Sequence, residues 1–227
     1  MSYEEFREVG WYKFPTRDSP EIPASPFHAF RENPAINPLG TPSGRIEIHS
    51  RTVEGFGYDD CPGTPQWMEP REWLGSPKAA QYPLHVIGKH PLWRRHSSYD
   101  NVDTLHKYAK INGYEPALIN PTDAAARGIA TGDLVRVFND RGQILCAAHV
   151  TTAVRPDVVI VHQGSWYRPA EPGEVGSIDH GGCINVVTRQ DGTSQLAQGP
   201  VAHSNLVNVE KFDSEATPND FAPIQPI

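Results

Sequence analysis

Three runs rich in β-branched residues lie close together between residues 117 and 163 of this chain. They are Leu134–Phe138, Ile144–Val150 and Val158–His162. Runs of this length and composition are typical of strands that are buried on one or both faces. Asn139–Gly142 separates the first two runs with a tight-turn composition, and its Gly can adopt a positive φ. Because Arg155–Asp157 is a second turn signal, we predict a hairpin followed by a third strand.

A short Ala-rich segment precedes these strands, between Asn120 and Ile129. Thr122 or Asp123 can cap a short helix there, and Gly128 can end it. A short helix followed by a hairpin and a further strand is the pattern expected in the middle of a small β-barrel. We therefore predict that a barrel is the scaffold on which the rest of the chain is held.

The remaining pattern predicts further short elements around the barrel. Helices are expected at Tyr3–Val9 and Val102–Ala109, one helical turn at Arg71–Leu74, and strands at Arg45–His49, 81–88 and Asn205–Phe212. The predicted fold class is therefore mainly β with short helices. We divide the chain into a Pro-rich irregular arm (1–40), a strand with a connecting segment (41–80), the barrel (81–212) and a loose tail (213–227).

The predicted arm combines prolines with aromatic residues. Six prolines between residues 15 and 38 prevent regular structure of any length. Trp11, Phe14 and Phe27 cannot be buried by such a segment alone. Two interpretations therefore stay open: a disordered arm, or an arm that packs its aromatic side chains on another domain.

Composition excludes several classes of function. The chain of 227 residues has a net charge of −7 and no basic stripe, which argues against nucleic acid as its partner. No apolar run approaches the roughly 18–20 residues of a membrane span, and the N-terminus lacks a signal-peptide pattern. A self-contained hydrolase is disfavoured because no nucleophile elbow is present. We name no catalytic residue.

The cysteines and histidines do not predict a metal site held by the protein. Cys61, Cys146 and Cys183 are far apart and form no CxxC motif. The ten histidines form no HExxH motif. An odd number of cysteines does not support a disulfide framework, and we expect Cys146, within a predicted strand, to be a core thiol.

Residues 89–101 carry an unusual density of functional side chains. They include three cations, two imidazoles, two serine hydroxyls and two aromatic rings. These groups suit an anionic ligand with a flat ring, whereas the alternative is a solvated loop with a few ion pairs. Further along, Gly181–Gly182 either lets a ligand approach the backbone or forms an ordinary turn. Asn185, between apolar neighbours, either pins a turn or hydrogen bonds to a ligand.

Six stretches of the chain together resemble one known family. They are TPSGRIEI, RRHSSYDNVDTL, INPTDAAARGIATGDLVRVFNDRG, GSWY, GGCINVVT and TSQLAQGPVAHSNLVNVEKF. From Thr41 to Phe212, roughly three quarters of the chain, their order and spacing resemble the C-terminal end of catalytic subunits in the dimethyl sulfoxide reductase family of molybdopterin enzymes. The branch that reduces dimethyl sulfoxide, trimethylamine N-oxide and biotin sulfoxide is the most similar.

This resemblance implies that residues 81–212 form a six-stranded double-psi β-barrel that binds molybdopterin guanine dinucleotide. In the parent enzyme two such groups, bis-MGD, hold molybdenum or tungsten, and the cofactor carries out oxygen-atom transfer. Carried over by position, the implied cofactor-binding residues lie after the first barrel strand and near the closing strand. They are Gly88, Lys89, His90, Arg95, His96, Ser97, Asn185, Gln198 and His203.

The chain also departs from the family. The metal ligand from protein, any iron–sulfur cysteines and the substrate funnel lie upstream in the family, and none is found here. We therefore expect an excised C-terminal piece, favoured by the start of the pattern at Met1, or a separately encoded remnant. It should be inactive alone, and whether it then binds cofactor stays open.

The resemblance also implies partners. These are the remaining domains of the catalytic subunit and, as a further candidate, an iron–sulfur electron-transfer subunit, with no nucleic acid and no membrane insertion. The compartment stays unknown, although parent enzymes are often periplasmic or membrane-associated. The alternative function is a barrel that serves as a structural or protein-interaction module without cofactor, since barrels of this kind host unrelated functions.

Overall fold

The computed structural model describes residues 1–14 and 26–213, which fall into two units. One unit contains Met1–Phe56 and Gly63–Pro65, and the other contains Gly57–Pro62 and Gln66–Ile227. The predicted fold class is confirmed, because the chain is mainly β with short helices and a closed six-stranded barrel. Residues 15–25 of the predicted arm and 214–227 of the predicted tail lie outside the described residues.

The described residues of the first unit form three short helices, α1 (Tyr3–Val9), α2 (His28–Glu32) and α3 (Arg51–Glu54). The helix predicted at Tyr3–Val9 is confirmed, and a reciprocal capping box between Ser2 and Glu5 begins it. None of the described residues of this unit is buried. A unit without buried side chains has no hydrophobic core of its own.

The strand predicted at Arg45–His49 is wrong. Residues 45–49 form no strand in the structure, and the side chains of Ile46 and Ile48 are exposed. Alternation of polar and apolar residues is typical of a half-buried strand. A strand also needs a neighbouring strand to complete its backbone hydrogen bonds, and the alternation does not show whether one is present. The prediction failed because no such neighbour is present among the described residues.

The second unit is built on the barrel. Its elements are β1 (Leu84–Lys89), α4 (Asp103–Ala109), β2 (Pro116–Ile119), α5 (Pro121–Ala125), β3 (Leu134–Phe138), β4 (Gln143–Val150), β5 (Val158–His162) and β6 (Asn205–Lys211), with 3₁₀ turns at Pro77–Ala80 and Ile184–Val186. Around the barrel the strand order is β1-β5-β2-β4-β3-β6, and β6 closes onto β1. The strands predicted at Leu134–Phe138 and Val158–His162 have the predicted bounds. β4 and β6 each differ from the prediction by one residue at one end, and β1 begins three residues later and ends one residue later than the predicted 81–88.

The direction of the strands decides which loops meet. β1 and β5 are parallel, with Lys89 opposite His162, so both strands finish at the same end of the barrel. β2 runs antiparallel to β5, and β6 runs antiparallel to β1 with Asn205 opposite Val86, so both begin at that end. We call this the β1 end of the barrel, and the loops that follow β1 and β5 and precede β2 and β6 converge there.

Aliphatic side chains fill the interior of the barrel. Val86, Ile119, Val137 and Val161 are all 0% exposed and belong to one hydrophobic cluster. Burying each such side chain contributes about 1.5 to 3 kcal/mol. Cys146 belongs to the same cluster, which confirms the predicted core thiol, and burial raises its pKa well above the ordinary value.

Two predicted details at the turns are wrong. Asn120, and not Thr122 or Asp123, caps α5, since its side-chain oxygen accepts from the backbone N–H of Thr122 at 2.9 Å. Gly142 does not have a positive φ. Glycine is needed there for space, because a Cβ at Gly142 would lie 2.6 Å from Cγ1 of Val186.

Candidate functional site

Three segments distant in sequence meet where β1 finishes. A Cβ placed on Gly88 would lie 3.4 Å from Cδ1 of Ile184 and 4.0 Å from Cε1 of His203. The Nε2–H group of His85 lies 2.6 Å from the carbonyl oxygen of His203, where it can donate a hydrogen bond. Of the sequence-predicted site residues, Gly88 and His203 are therefore neighbours, and Asn185 directly follows the residue that touches Gly88.

The loop after β1 folds back over the end of β5. The backbone N–H of Gln163 donates to the carbonyl oxygen of Lys89 at 2.9 Å, and the side-chain amide of Gln163 lies 3.3 Å from Nδ1 of His96. The rings of His90 and His96 meet edge to face, with centroids 5.0 Å apart. Lys89, His90 and His96 therefore lie together at the β1 end of the barrel.

Four of the predicted site residues have polar side chains that face solvent. The four exposed residues are Lys89, Arg95, Ser97 and Asn185, and only their backbone groups take part in local structure. Within residues 26–213 none of these four side chains has a hydrogen-bond or ion-pair partner. Asn185 is therefore not a buried amide that pins a turn with its side chain, and its amide is free to bind a ligand.

Among the described residues, no contact joins Gln198 to this group. Its side-chain amide donates to the carbonyl oxygen of Ser194 at 2.8 Å, and the side chain lies against Gly192. Both contacts belong to the loop that precedes β6. A role for Gln198 in binding a ligand stays a prediction.

Arg94, next to the exposed Arg95, points the opposite way. Its side chain is 2% exposed, and its two terminal nitrogens lie 3.0 Å each from the two carboxylate oxygens of Glu115. This planar two-point pairing is the strongest arrangement that Arg forms with a carboxylate. One cation of the dense 89–101 segment is therefore used inside the protein, in a buried ion pair.

Glu115 is the centre of a buried ionic cluster. Nζ of Lys110 lies 2.9 Å from Oε2 of Glu115, the hydroxyl of Ser165 donates to the same oxygen at 2.6 Å, and Nδ1 of His162 lies 3.3 Å from Oε1. Burial alone would raise the pKa of Glu115. The His162 contact and the charges of Lys110 and Arg94 outweigh burial and lower the pKa to about 2.

The cluster fixes the loop after β1 at both of its ends. Arg94 also donates to the carbonyl oxygen of Gln163 at 3.0 Å. Asp100 lies 3.2 Å from Arg94 and 3.1 Å from Lys110, and its other oxygen accepts from the backbone N–H of Trp166 at 2.9 Å. The exposed residues 95–99 are therefore held between two anchored side chains, which preorganises the donors they carry.

Neither Glu115 nor Lys110 is predicted from the sequence. Their partners are Arg94, His162 and Ser165, and these positions have no common spacing along the chain. The available signal was the lone acidic residue directly before a strand that begins with Pro116. That signal is weak, because a single Glu at a strand start is usually solvated.

The glycine pair belongs to protein packing. Asp179, which is 0% exposed, accepts hydrogen bonds from the backbone N–H groups of Gly181, at 3.1 Å, and Cys183, at 2.6 Å. A Cβ on Gly181 would overlap the carbonyl oxygen of Trp166, and one on Gly182 would lie 2.6 Å from Cβ of Glu115. Both glycines are therefore explained by a tightly packed turn. This turn positions the Ile184–Val186 segment that follows it.

A family model described as "Molydopterin dinucleotide binding domain" matches residues 84–206. The match covers more than half of the 227 residues and spans the barrel from β1 into β6. The chain belongs to this family. As a molybdopterin-dinucleotide-binding barrel, it takes a molybdopterin cofactor as its ligand class, and the resemblance noted from its sequence is confirmed.

Curated relatives extend the similarity beyond the barrel. The dimethyl sulfoxide/trimethylamine N-oxide reductase of Cereibacter sphaeroides is 49% identical over 93% of this chain and 25% of its own length. The enzyme of the same name from Rhodobacter capsulatus is 46% identical over 95% and 26%. Trimethylamine-N-oxide reductase 1 of Escherichia coli (strain K12) is 49% identical over 82% and 22%. The chain thus spans about a quarter of the length of these relatives.

A solved structure supports the fold alone. Acetylene hydratase from Pelobacter acetylenicus superposes with a TM-score of 0.63 at 21% identity, covering 79% of this chain and 25% of that protein.

Within the described residues no three His, Cys, Asp or Glu side chains are grouped to hold a metal ion. No helix in the described part of the chain has the length and apolarity to span a bilayer.

The polar groups at the β1 end fit an anionic cofactor of this class. Lys89 and Arg95 offer cations for a diphosphate, and Ser97 offers a hydroxyl donor. Asn185 offers both a donor and an acceptor, as the edge of a pterin or guanine ring requires. These four side chains are exposed and unpaired within the described residues, so binding would not require them to leave a protein partner.

A second buried carboxylate, Glu72, anchors the segment before β1 to the barrel. Its two oxygens lie 2.6 and 3.1 Å from the terminal nitrogens of Arg141, and they also accept from Lys78 at 2.7 Å and the backbone N–H of Leu206 at 3.0 Å. The helical turn predicted at Arg71–Leu74 is wrong, because these contacts and not local helical bonds hold the segment.

We expect Glu72 to make the protein sensitive to acid. Burial raises its pKa, but hydrogen bonds from Arg141, Lys78 and Leu206 lower it from 4.5 to about 2. A depressed folded-state pKa stabilises the protein above the unfolded value, and the stabilisation is lost as the pH falls towards 2. Glu72→Gln should lower the free energy of unfolding by about 2 to 3 kcal/mol at neutral pH, and by much less near pH 2.

Urea unfolding at a series of pH values measures this effect. Glu69→Gln is the matched control, since Glu69 is exposed in the same segment. A loss of stability for Glu72→Gln that stayed constant from neutral pH down to pH 2 would contradict the assignment, because it would show that the charge of Glu72 contributes nothing.

Proposed function

We propose that this barrel binds molybdopterin guanine dinucleotide at the β1 end and forms one wall of a bis-MGD site for molybdenum or tungsten. The observation that carries the proposal is the meeting of Gly88, Ile184 and His203 at the β1 end of the barrel, where the loop after β1 exposes Arg95 and Ser97. Because the family match gives the ligand class, the proposal concerns which residues hold it and in what form.

Each side chain has a proposed task. Lys89 and Arg95 neutralise the diphosphate, Ser97 donates to a phosphate oxygen, and Asn185 hydrogen bonds to the edge of a ring. Gly88 keeps the end of β1 free of a side chain, so that a ring can approach the backbone. We also retain four contacts at the edge of the site: His90, His96, Gln198 and His203.

The cofactor would supply the redox chemistry of the parent enzyme, and this chain would bind and orient it. By analogy with the relatives named above, we propose a sulfoxide or an N-oxide as the parent substrate. The remaining domains of such an enzyme are the proposed partners, with an iron–sulfur subunit as a further candidate. The absence of buried side chains among the described residues of the first unit supports a partner, because that unit lacks a core of its own.

Charge reversal in the loop tests the site. Arg95→Glu should weaken binding of molybdopterin guanine dinucleotide, isolated from a reductase of this family, by about tenfold or more, because a contact between opposite charges becomes a repulsion. Arg155→Glu is the control, since Arg155 is exposed in the turn before β5, at the other end of that strand. Cofactor absorbance and fluorescence titration measure both affinities.

Hydrogen exchange of the cofactor-bound chain gives an independent readout. We expect slower exchange both in residues 95–99 and around Asn185, since one ligand should cover both segments. Equal affinity of the two variants would show that the loop does not bind the diphosphate. Protection confined to one segment would show that the two segments do not form one binding site. No binding at all would favour the alternative, a structural or protein-interaction module. The family match does not favour that alternative.

A further inference from the structure

A groove of about 570 Å³ runs along the outer face of the barrel beside the proposed cofactor site. Lys89 and His162 lie at the β1 end of the groove, and Leu118 of β2 and His149 of β4 lie further along it. Trp93, from the loop after β1, also lines the groove. The groove therefore begins at the cofactor loop and continues along the barrel.

The groove is basic in a chain that is acidic as a whole. Its charged and titratable lining residues include two lysines and three histidines but no carboxylate, although the net charge of the chain is −7. Lys110 and His162 are already paired with Glu115. Lys89 and His149 have no hydrogen-bond or ion-pair partner within residues 26–213. Because Lys89 is proposed to bind the cofactor diphosphate, His149 is the group left for a negatively charged occupant of the groove.

Exposed aromatic and aliphatic side chains form the other part of the surface. The rings of Trp93 and Tyr108 pack with centroids 5.1 Å apart, yet these residues remain 44% and 64% exposed. The adjacent Leu92 is 84% exposed. A contiguous apolar surface containing Trp and Tyr and rimmed by cations is typical of a surface that another polypeptide covers.

We infer that this groove docks a segment of polypeptide that carries carboxylates beside aromatic or aliphatic side chains. We assign the segment to the part of the parent enzyme that the present chain does not match, so this inference rests on the proposed function. A carboxylate would pair with His149, and the apolar side chains would cover Trp93 and Tyr108. A small anion could use the cations, but it would leave the aromatic wall and Leu92 in water.

Peptides from a relative provide the probe. We would synthesise overlapping peptides that cover the part of the Cereibacter sphaeroides reductase outside the region matched by this chain. The labelled 227-residue chain should bind a small group of peptides that combine Asp or Glu with Phe, Trp, Tyr or Leu. Changing their carboxylates to amides should weaken binding by about tenfold.

Variants of the chain locate the binding surface. His149→Glu should weaken binding of the same peptides by about fivefold or more, because it places a carboxylate inside the groove. Arg155→Glu, in the turn before β5, should leave it within about twofold. Both variants should unfold at the same urea concentration as the parent chain, because His149 and Arg155 are exposed.

The inference is overturned if no peptide binds, if the amide versions bind equally well, or if His149→Glu has no effect. Full competition by free N-acetyl-aspartate would also overturn it, since that result would describe a site for small anions. Failure of the proposed function is distinguishable. In that case cofactor binding would be absent or insensitive to Arg95→Glu, whereas the effect of His149→Glu on peptide binding would be measured separately.

Discussion

Replacing Glu115 by Gln is expected to lower the free energy of unfolding by about 3 to 5 kcal/mol, as is typical when one partner of a buried ion pair is lost. The variant keeps the size of the side chain but removes the charge that faces Arg94, Lys110 and His162. Asp100 would then be the remaining carboxylate beside two buried cations. Urea unfolding at neutral pH, followed by tryptophan fluorescence, measures the loss.

The control for this variant is Glu174→Gln, because Glu174 is exposed in a loop and its side chain has no partner among the described residues. That change should stay within about 0.5 kcal/mol of the parent chain. Equal stability of the two variants would show that the cluster is not held by its charges. The folded-state pKa of Glu115, about 2 against an ordinary 4.5, gives a further check. The difference between variant and parent should shrink as the pH falls towards 2.

The same variant should also weaken cofactor binding if the cluster positions the loop. Arg94 and Asp100 bracket the exposed residues 95–99, and both belong to the cluster around Glu115. An affinity that falls by more than the fraction of unfolded chain can explain would indicate a displaced loop. A stable, folded variant with unchanged affinity would limit Glu115 to a structural role.

The barrel strands could be predicted because their signals are local. A run such as Val158–His162 is β-branched throughout and bounded by a turn, so its length and type follow from neighbouring residues. Arg45–His49 shows the limit of the same reasoning. Its alternation is as regular as that of a strand, but strand formation requires a partner, and residues 45–49 have none among the described residues.

The candidate site also has features that could be predicted from the sequence and features that could not. Composition identified the density of cations, imidazoles and hydroxyls after β1, and the family resemblance selected Arg95, which is exposed. Composition could not tell that Arg94 points inward, because its partner Glu115 lies 21 residues away in the chain. Contacts of this kind are fixed by strand register and barrel closure, and single-sequence patterns do not contain that information.

Gly164→Ala is expected to produce the largest local effect at the site. Gly164 follows β5 with a φ of +93°, and a Cβ there would overlap the carbonyl oxygen of His96. Two costs therefore combine: a left-handed backbone that disfavours Ala by about 1 to 2 kcal/mol, and a clash that forces the loop away from β5. We expect a total loss of about 3 kcal/mol or more in the free energy of unfolding.

Gly173→Ala separates these two costs. Gly173 has a similar φ of +89°, but a Cβ there would meet nothing within 4 Å. This control should therefore lose only the backbone contribution of about 1 to 2 kcal/mol. Because the carbonyl that Gly164 approaches belongs to the residue between Arg95 and Ser97, Gly164→Ala should also weaken cofactor binding, whereas Gly173→Ala should not. If the two variants lost equal stability and bound cofactor equally, the close approach of the loop to β5 would be incorrect, and with it the placement of Arg95 and Ser97 at the β1 end.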